Sequence, residues 1–346
     1  MIEVISDRRR QNGRAFPFGA IDMKKRQFTA AVSALLGATL LISSCSSGSA
    51  ASFSANWHAN TAINTVVEGT SETLVYNVTQ NVETATNSTY SVHYSGGTYT
   101  AALTTEQRDG KLLYRYHTEL SISVQYLFDG QYSEPKTDKI TSTVYFRSIQ
   151  EGLAPVSSTK EVESRSPSGL SPASLDSAYR DYHYSIQTDY NEDGTAATSV
   201  YTDLSTESGD TQTTEFSIGD GYSYIDNEEL LFALRGISYA SAQQFQVYNA
   251  SVRRVQNVRV SPSSSDSDEF EFSLGGQTSA RAIEYYPLSI SISESNPGAT
   301  QTAWYAATTS ASNNVYRNVM LRLETPISYN LGSLVYELQS AEFATT

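Results

Sequence analysis

The stretch LLYRYHTELSISVQYLF, residues 112–128, decides the fold class of this chain. Mostly apolar or aromatic side chains alternate along it with polar or charged ones. This period of two is typical of a β-strand with one buried face and cannot arise from a helix. One face carries Leu112, Tyr114, Tyr116, Thr118, Leu120, Ile122, Val124, Tyr126 and Phe128. Because a strand of this length is about three times longer than usual, we expect it to bend strongly or to contain a bulge.

The same alternation recurs along the chain and predicts about a dozen strands. The alternation is interrupted at Gly96-Gly97 within one predicted strand. Residues 245–260 are predicted to form a single strand. Residues 157–178 are predicted to form a long loop and a candidate domain sub-boundary, and Ser261–Glu269 a polar hairpin loop. We therefore expect an all-β fold with one or two short helices, built as a strongly curved antiparallel sheet or half-open barrel.

One stretch breaks the strand pattern and predicts a short helix. Asp226 precedes Glu229 by three residues, which is the spacing of a capping box at a helix N-terminus. An apolar stripe follows, and Gly236 is placed for the C′ position just after the last turn. The adjacent carboxylates Glu228 and Glu229 are accordingly interpreted as helix-capping groups that favour the positive end of the helix dipole.

Cys45 is the only cysteine of the chain, and the residues before it are typical of a secretory leader. A basic cluster at 23–26 precedes an apolar run at 28–42. The run is shorter than the roughly 20 residues that a transmembrane helix needs. Ile42-Ser43-Ser44-Cys45 resembles the lipobox of bacterial lipoproteins, in which the cysteine sulfur carries a diacylglycerol. The alternative is a buried free cysteine behind an apolar helix.

The expected domain organisation follows from this leader. The parts are a mis-assigned N-terminal extension (1–22), a lipoprotein signal peptide (23–44), a polar tether (45–60) in which Trp57 could be exposed, and a β-rich domain (61–346). The mature chain is expected to be anchored through lipid on Cys45 to a bacterial membrane, on its extracytoplasmic side. Because Ser46 follows the cysteine, we expect the outer membrane if the host has one.

The charge of the chain excludes some classes of partner. The whole sequence has 23 Lys and Arg against 37 Asp and Glu, of which residues 1–44 hold seven and three, so the remainder holds 16 against 34. Such an acidic chain is not expected to bind nucleic acid or to dock electrostatically on anionic lipid. Membrane proximity is therefore expected to come from the lipid chains.

No motif in the sequence predicts catalysis or a cofactor. The segment DYNEDG at 189–194 begins like a calcium loop, but the twelfth position is Val200 where a bidentate Glu belongs, so a hairpin turn is favoured. A weak surface calcium site remains the alternative there. The histidines His58, His93, His117 and His183 lack metal-ligand spacing. We predict no metal, no cofactor and no enzymatic activity.

Several short motifs resemble an uncharacterised bacterial envelope family, domain-of-unknown-function family 3108. They are Glu72-x-Leu74-x-Tyr76-x-Val78, Leu230-Leu231-Phe232-Ala233-Leu234-Arg235, Phe245-Gln246-Val247, Val252–Val260, Ala280–Tyr285, Thr302-Ala303-Trp304-Tyr305 and Gly332-x-Leu334-x-Tyr336-x-Leu338. The resemblance implies a curved antiparallel sheet related in shape to the LolA/LolB-type lipoprotein carriers, in which a half-open barrel wraps a hydrophobic cavity. It implies no catalytic residue.

Two functions remain open from the sequence. The first is an apolar ligand, such as a lipid, or a partner chain bound in the concavity of the sheet, lined by Tyr114, Tyr116, Leu120, Ile122, Val124 and Tyr126. The second is a structural or assembly lipoprotein with a filled core, whose strand edges and acidic face contact other envelope proteins. An empty apolar cavity would distinguish the first from the second.

Overall fold

The computed structural model describes residues 52–218, 223–292, 300–307 and 314–344. Their strands are β1 (Glu72–Ala85), β2 (Ser91–Arg108), β3 (Lys111–Phe128), β4 (Gln131–Tyr132), β5 (Lys136–Phe146), β6 (Pro155–Pro167), β7 (Tyr179–Tyr190), β8 (Ala196–Asp203), β9 (Thr211–Ser217), β10 (Ser223–Asp226), β11 (Gln243–Asn249), β12 (Arg254–Pro262), β13 (Asp266–Leu274), β14 (Gln277–Ile292), β15 (Gln301–Ala306), β16 (Met320–Pro326) and β17 (Leu331–Phe343). The predicted all-β class is confirmed.

The helical elements are short. The short helix α1 (Leu230–Ala233) lies between the 3-10 turns Asn227–Glu229 and Leu234–Gly236, and together these form what we call the helical segment, residues 227–236. Further 3-10 turns are Ile149–Glu151, Leu175–Ser177, Asn314–Tyr316 and Ser328–Asn330. Among the residues that the structure describes, no helix has the length and apolar character needed to cross a membrane.

The strands form one continuous, strongly curved sheet. Its hydrogen-bonded order runs β9-β8-β7-β6-β5-β3-β2-β1-β17-β16-β15-β14-β12-β11-β10, and every neighbouring pair except β10–β11 is antiparallel. β13 pairs with β14 and, in parallel, with β17, which closes a ring of five strands from β13 to β17. The two outer ends of the sheet approach each other through side chains, because the ring of Phe216 stacks on Tyr248 at 3.6 Å.

The long strand predicted at 112–128 is β3, and the strand paired with it, β2, contains a β-bulge. β3 pairs along its length with β2, but the register shifts between Ser95 and Thr98, where β2 contains one residue more than β3. Gly96 has a φ of +61° at this bulge, which a glycine adopts without a steric penalty. The predicted break at Gly96-Gly97 is therefore a β-bulge inside the continuous strand β2. The extra residue lies in β2 and not in β3, whose pairing with β5 keeps one register from Tyr114 to Val124.

Gly97 is expected to tolerate no side chain. A Cβ there would lie 2.6 Å from the carbonyl oxygen of Val78 and 2.7 Å from Cδ1 of Ile122, whereas a Cβ on Gly96 would meet no atom within 4 Å. Gly97→Ala is therefore expected to lower the free energy of unfolding by about 2–3 kcal/mol through overpacking. Gly96→Ala should cost only about 1 kcal/mol, from its left-handed backbone. Urea unfolding of both variants tests this, and equal costs would contradict the close approach.

The predicted loop at 157–178 is wrong over its first half. β6 (Pro155–Pro167) occupies residues 157–167 and pairs with β5 on one side and β7 on the other, and residues 168–178 form the connection to β7. The period of two is present in the burial of Ser158, Lys160, Val162 and Ser164. Since three of these four inward residues are polar, a search for alternating apolar residues does not detect the strand.

Two further details of the predicted topology are corrected. Residues 245–260 are two strands, β11 and β12, which form a hairpin with Arg253 at a φ of +56° in the turn. Residues 263–265 do not join a hairpin, because β12 and β13 lie end to end along the same edge of β14. The hairpin at 245–260 depends on turn geometry, and the order of β12 and β13 depends on which strand each of them pairs with. Neither feature produces a distinct pattern of polar and apolar residues in the sequence.

Candidate functional site

The helical segment lies inside the curved sheet and organises its interior. The predicted capping box is present: Asp226 accepts a hydrogen bond from the backbone N–H of Glu228, and Glu229 Oε1 accepts one from the N–H of Asp226 at 3.0 Å. Leu230 to Gly236 are all buried. Gly236 does not adopt the predicted left-handed C′ conformation, and its missing side chain instead leaves room for Ser54 O, 3.1 Å from where a Cβ would lie.

Phe232 is the centre of the aromatic core around this segment. Its ring centroid lies 4.7 Å from Trp57, 5.2 Å from Phe146 and 5.3 Å from Tyr116. Trp57 is 1% exposed, so the expectation of an exposed tryptophan in a tether is wrong. Large aromatic side chains are usually buried. The polar residues that precede Trp57 in the sequence therefore did not indicate whether its side chain is exposed.

The six predicted lining residues all lie on the inward face of β3. Tyr114, Tyr116, Leu120, Ile122, Val124 and Tyr126 are between 0% and 6% exposed. Tyr114 and Tyr116 face Trp57 and Phe232, respectively. At the other end of the strand, Tyr126 donates a hydrogen bond to the backbone carbonyl of Arg165 and packs against Tyr179. Side chains of the protein thus surround both ends of the predicted lining, and a role in binding stays a prediction for these residues.

A buried ion pair joins the C-terminal end of the helical segment to the first strand. Arg235, 2% exposed, donates to both carboxylate oxygens of Glu72, with Nη2 at 2.9 Å from Oε2. Arg235 Nη2 also donates to the backbone carbonyl of Arg317 at 2.8 Å. This pair ties the helical segment to β1, and removing either partner would leave the other charge buried and unpaired.

A second buried polar cluster surrounds the N-terminal end of the segment. Lys160 Nζ lies 3.0 Å from Glu228 Oε1, and the hydroxyl of Tyr190 donates to Asp226 Oδ2 at 2.5 Å. Burial, followed by the charge of Glu228, raises the pKa of Asp226 to about 6. Burial and then Asp226 raise the pKa of Glu229 well above its usual range. Asp226 and Glu229 therefore take up protons more readily than free carboxyl groups, whereas the pKa of Glu228, beside Lys160, is lowered, which reduces the cost of enclosing three carboxyl groups beside one lysine.

The sequence indicated only part of this cluster. The interpretation of Glu229 as a capping group is confirmed, whereas Glu228 forms an ion pair with β6. Lys160 was missed because it lies in the stretch predicted to be a loop. A lysine at an inward position of a strand with period two is the signal that could have located it, once β6 was recognised.

Asp138 is a third buried acid, on the inward face of β5. Burial raises its pKa to about 7, although the backbone N–H of Arg165 donates to Oδ1 at 2.6 Å and the Ser164 hydroxyl donates to Oδ2 at 3.1 Å. A carboxyl whose pKa is raised on folding binds more protons in the native state than in the unfolded state. Its favourable contribution is therefore complete at low pH and is lost as pH rises through about 7.

Asp138→Asn is expected to remove this pH dependence. The amide keeps an oxygen for the Arg165 N–H and carries no charge, so the variant should match the wild type near about pH 4 and exceed it by about 2–4 kcal/mol at about pH 8. Urea unfolding across this range gives the difference in free energy of unfolding at each pH. Asp181→Asn, which changes an acid about half exposed beside Arg165, is the matched control. A difference that does not grow with pH would contradict the raised pKa of Asp138.

The outward face of β5 to β8 forms an open polar groove of about 370 Å³. His117, Thr141, Thr143, Glu161, Gln187 and Thr202 are among its lining residues. His117 Nδ1 lies 2.9 Å from Thr143 Oγ1, and burial, then Arg115, lowers the pKa of this histidine. His117 is thus a strand residue on the polar, outward face of β3, opposite Thr143 of β5. His58, in contrast, is buried beside Tyr114, with its Nε2 at 3.0 Å from the phenol oxygen.

No family model matches the chain, and no curated protein matches it. A solved structure with similarity to it is the crystal structure of a β-barrel-like protein of domain of unknown function DUF1849 from Brucella abortus. The identity is 12%, the match covers 81% of this chain and 100% of the other, and the TM-score is 0.44. The resemblance to family 3108 stays a prediction, and Cys45 with its leader lies outside the described residues.

Proposed function

We propose that this protein is a lipid-anchored, non-enzymatic envelope protein whose β-domain is a rigid scaffold with a filled interior. The anchor is a diacylglycerol on Cys45, on the extracytoplasmic side of a bacterial membrane, and of the outer membrane where the host has one. The relation to family 3108 rests on the motifs quoted above. In this proposal the acidic outer surface of the sheet, not a cavity, contacts other envelope components.

The observation that carries the proposal is the packing on the inward face of β3. The side chain of Phe232 occupies the space in front of Tyr116, and Trp57 occupies the space in front of Tyr114. A carrier of the LolA/LolB type would need this space for an acyl chain. A rigid interior with buried ion pairs supports a scaffold instead, because such pairs require one defined arrangement of their partners.

Native mass spectrometry of the chain starting at Ser46, purified without detergent, tests the filled interior. We expect a mass equal to that of the polypeptide alone, unchanged after incubation with palmitic acid or phosphatidylethanolamine. A co-purifying acyl-chain species, or uptake of either added lipid, would contradict the scaffold and support a carrier. A second sample, unfolded and refolded without lipid before incubation, controls for a ligand lost during purification.

Metabolic labelling with an alkyne fatty acid in a bacterial host tests the anchor. The full chain should incorporate the label and sediment with membranes, and Cys45→Ser should do neither. Ser47→Ala, a change two positions away that keeps the cysteine, is the matched control and should behave as the wild type. Membrane association of Cys45→Ser equal to that of the wild type would contradict anchoring through this residue.

A further inference from the structure

The first described residues are fastened to the domain. Ser54 N–H donates to the backbone carbonyl of Gly236 at 2.8 Å, and Asn56 Nδ2 donates to that of Arg235 at 3.0 Å. The ring of Phe53 packs at 6.1 Å from that of Phe245 on β11. The chain is thus held against the end of the helical segment from Phe53 onward, well before the predicted end of the tether at residue 60.

The distance from the proposed anchor to this fastening point is short. Phe53 follows Cys45 by eight positions, and eight residues span at most about 30 Å in any conformation. β3 alone has 18 residues, which at about 3.3 Å each correspond to nearly twice that distance along the strand. A lipid on Cys45 therefore holds the surface around Phe53 close to the bilayer and cannot let the domain move freely away from it.

A shallow depression lies beside this fastening point. It is lined by residues 239–242 after the helical segment, by Arg259 and residues 261–265, and by Tyr286. The rings of Tyr239 and Tyr286 are 5.2 Å apart, and Tyr239 donates to the carbonyl of Leu234. Arg259 lies opposite Gln244 in the hairpin of β11 and β12, next to the pair of Phe245 and Val258. Tyr239 follows Gly236, whose carbonyl accepts the hydrogen bond from Ser54, by only three positions, and this short connection places the depression beside the fastening point.

The chemistry of the depression suits a lipid headgroup region. Tyr239 and Tyr286 are half-buried, and tyrosine is enriched where a protein meets the boundary between headgroups and water. Arg259 is exposed, and a guanidinium binds phosphate through paired hydrogen bonds. Asp266 and Asp268 on the adjacent strand are exposed as well. Their negative charges weaken the long-range attraction of Arg259 to lipid phosphates, so the contact with the bilayer depends on the tether.

We propose that the depression formed by residues 239–242, Arg259, residues 261–265 and Tyr286 rests on the surface of the bilayer that holds the anchor. Tyr132, in the turn between β3 and β4, lies on a part of the sheet that does not border β11, β12 or β14 and is not expected to touch the bilayer. This inference rests on the proposed lipid on Cys45. It defines which surface of the scaffold the membrane covers.

Site-specific labelling tests this orientation, because the lipidated chain has no free thiol. Ser264→Cys places a label in the depression, and Tyr132→Cys places one on a side chain that is 62% exposed beside the turn between β3 and β4. Each lipidated variant carries a fluorophore and is inserted into phosphatidylcholine vesicles that contain a headgroup spin label. We expect several-fold stronger quenching at position 264 than at 132. Equal quenching, or the reverse order, would overturn the proposal.

Two readouts separate this inference from the proposed function. The intact mass of each variant reports whether Cys45 carries lipid, and far-ultraviolet circular dichroism reports whether the domain is folded. If the lipid is present and both labels are quenched equally, the orientation is wrong while the anchor stands. If no lipid is found on Cys45 in a bacterial host, the proposed anchor fails, and the orientation loses its basis with it.

Discussion

Arg235→Met is expected to destabilise the domain by about 3–5 kcal/mol, because it leaves the carboxylate of Glu72 buried without a counter-charge. Glu72 is 4% exposed and receives two hydrogen bonds from Arg235. Methionine preserves much of the aliphatic volume of arginine, so the loss should reflect the charge and not a cavity. Urea unfolding measures it. Arg322→Met, which removes an arginine about 38% exposed at 4.0 Å from Glu337, is the matched control and should cost at most about 1 kcal/mol.

The double variant Glu72→Met/Arg235→Met separates charge from packing. Replacing a buried ion pair by apolar side chains of similar volume is often neutral in free energy, so the double variant should recover most of the stability lost by Arg235→Met. The coupling free energy between the two sites should then be large and favourable. If the stability losses of Glu72→Met and Arg235→Met simply add in the double variant, the two charges do not stabilise each other, and the proposed role of the ion pair is wrong.

Phe232→Ala should cost about 3–5 kcal/mol, by opening a cavity between the helical segment and the sheet. Phe232 is 1% exposed and contacts Trp57, Phe146 and Tyr116, which come from three separate parts of the chain. Neither of the two elements can close the gap alone, because the segment is held at both ends by buried ion pairs. Trp57 fluorescence should shift to longer wavelength as water enters its surroundings.

Phe270→Ala is the matched control for this cavity. Phe270 lies on β13 with its ring partly exposed and in edge contact with Tyr285. The same chemical change there should cost clearly less than at Phe232, because the removed side chain was already in part hydrated. Equal costs would show that Phe232 does not hold the segment in the sheet. Uptake of a small apolar molecule by Phe232→Ala, but not by the wild type, would give independent support for a filled interior.

Much of the sheet was predictable from the residues of β3. Alternation over its length predicted a strand, and that length predicted a curved sheet, in which the bulge lies at Gly96 of the neighbouring strand β2. The capping box at Asp226 predicted the start of the helical segment. These features were accessible because each depends on neighbours within a few residues, so that periodicity and capping chemistry are recorded locally in the chain.

The candidate site was less accessible, and β6 shows why. Its inward residues Ser158, Lys160 and Ser164 are polar because they face other polar groups of the interior, such as Glu228 and Asp138. An inward polar residue and a loop residue look alike in a sequence unless the partner is known. Trp57 was mistaken for a tether residue for the same reason, since its partner Phe232 is far away in the chain.

Residue periodicity and helix capping were sufficient to predict the all-β class, the length of β3 and the place of the helical segment, because both act between near neighbours. Only the tertiary structure decided that β12 and β13 share one edge of β14, that β13 closes a ring with β17, and that Arg235 pairs with Glu72. Those contacts join residues far apart in the chain. Their free energy depends on which surfaces meet when the sheet curls, and no local pattern records that outcome.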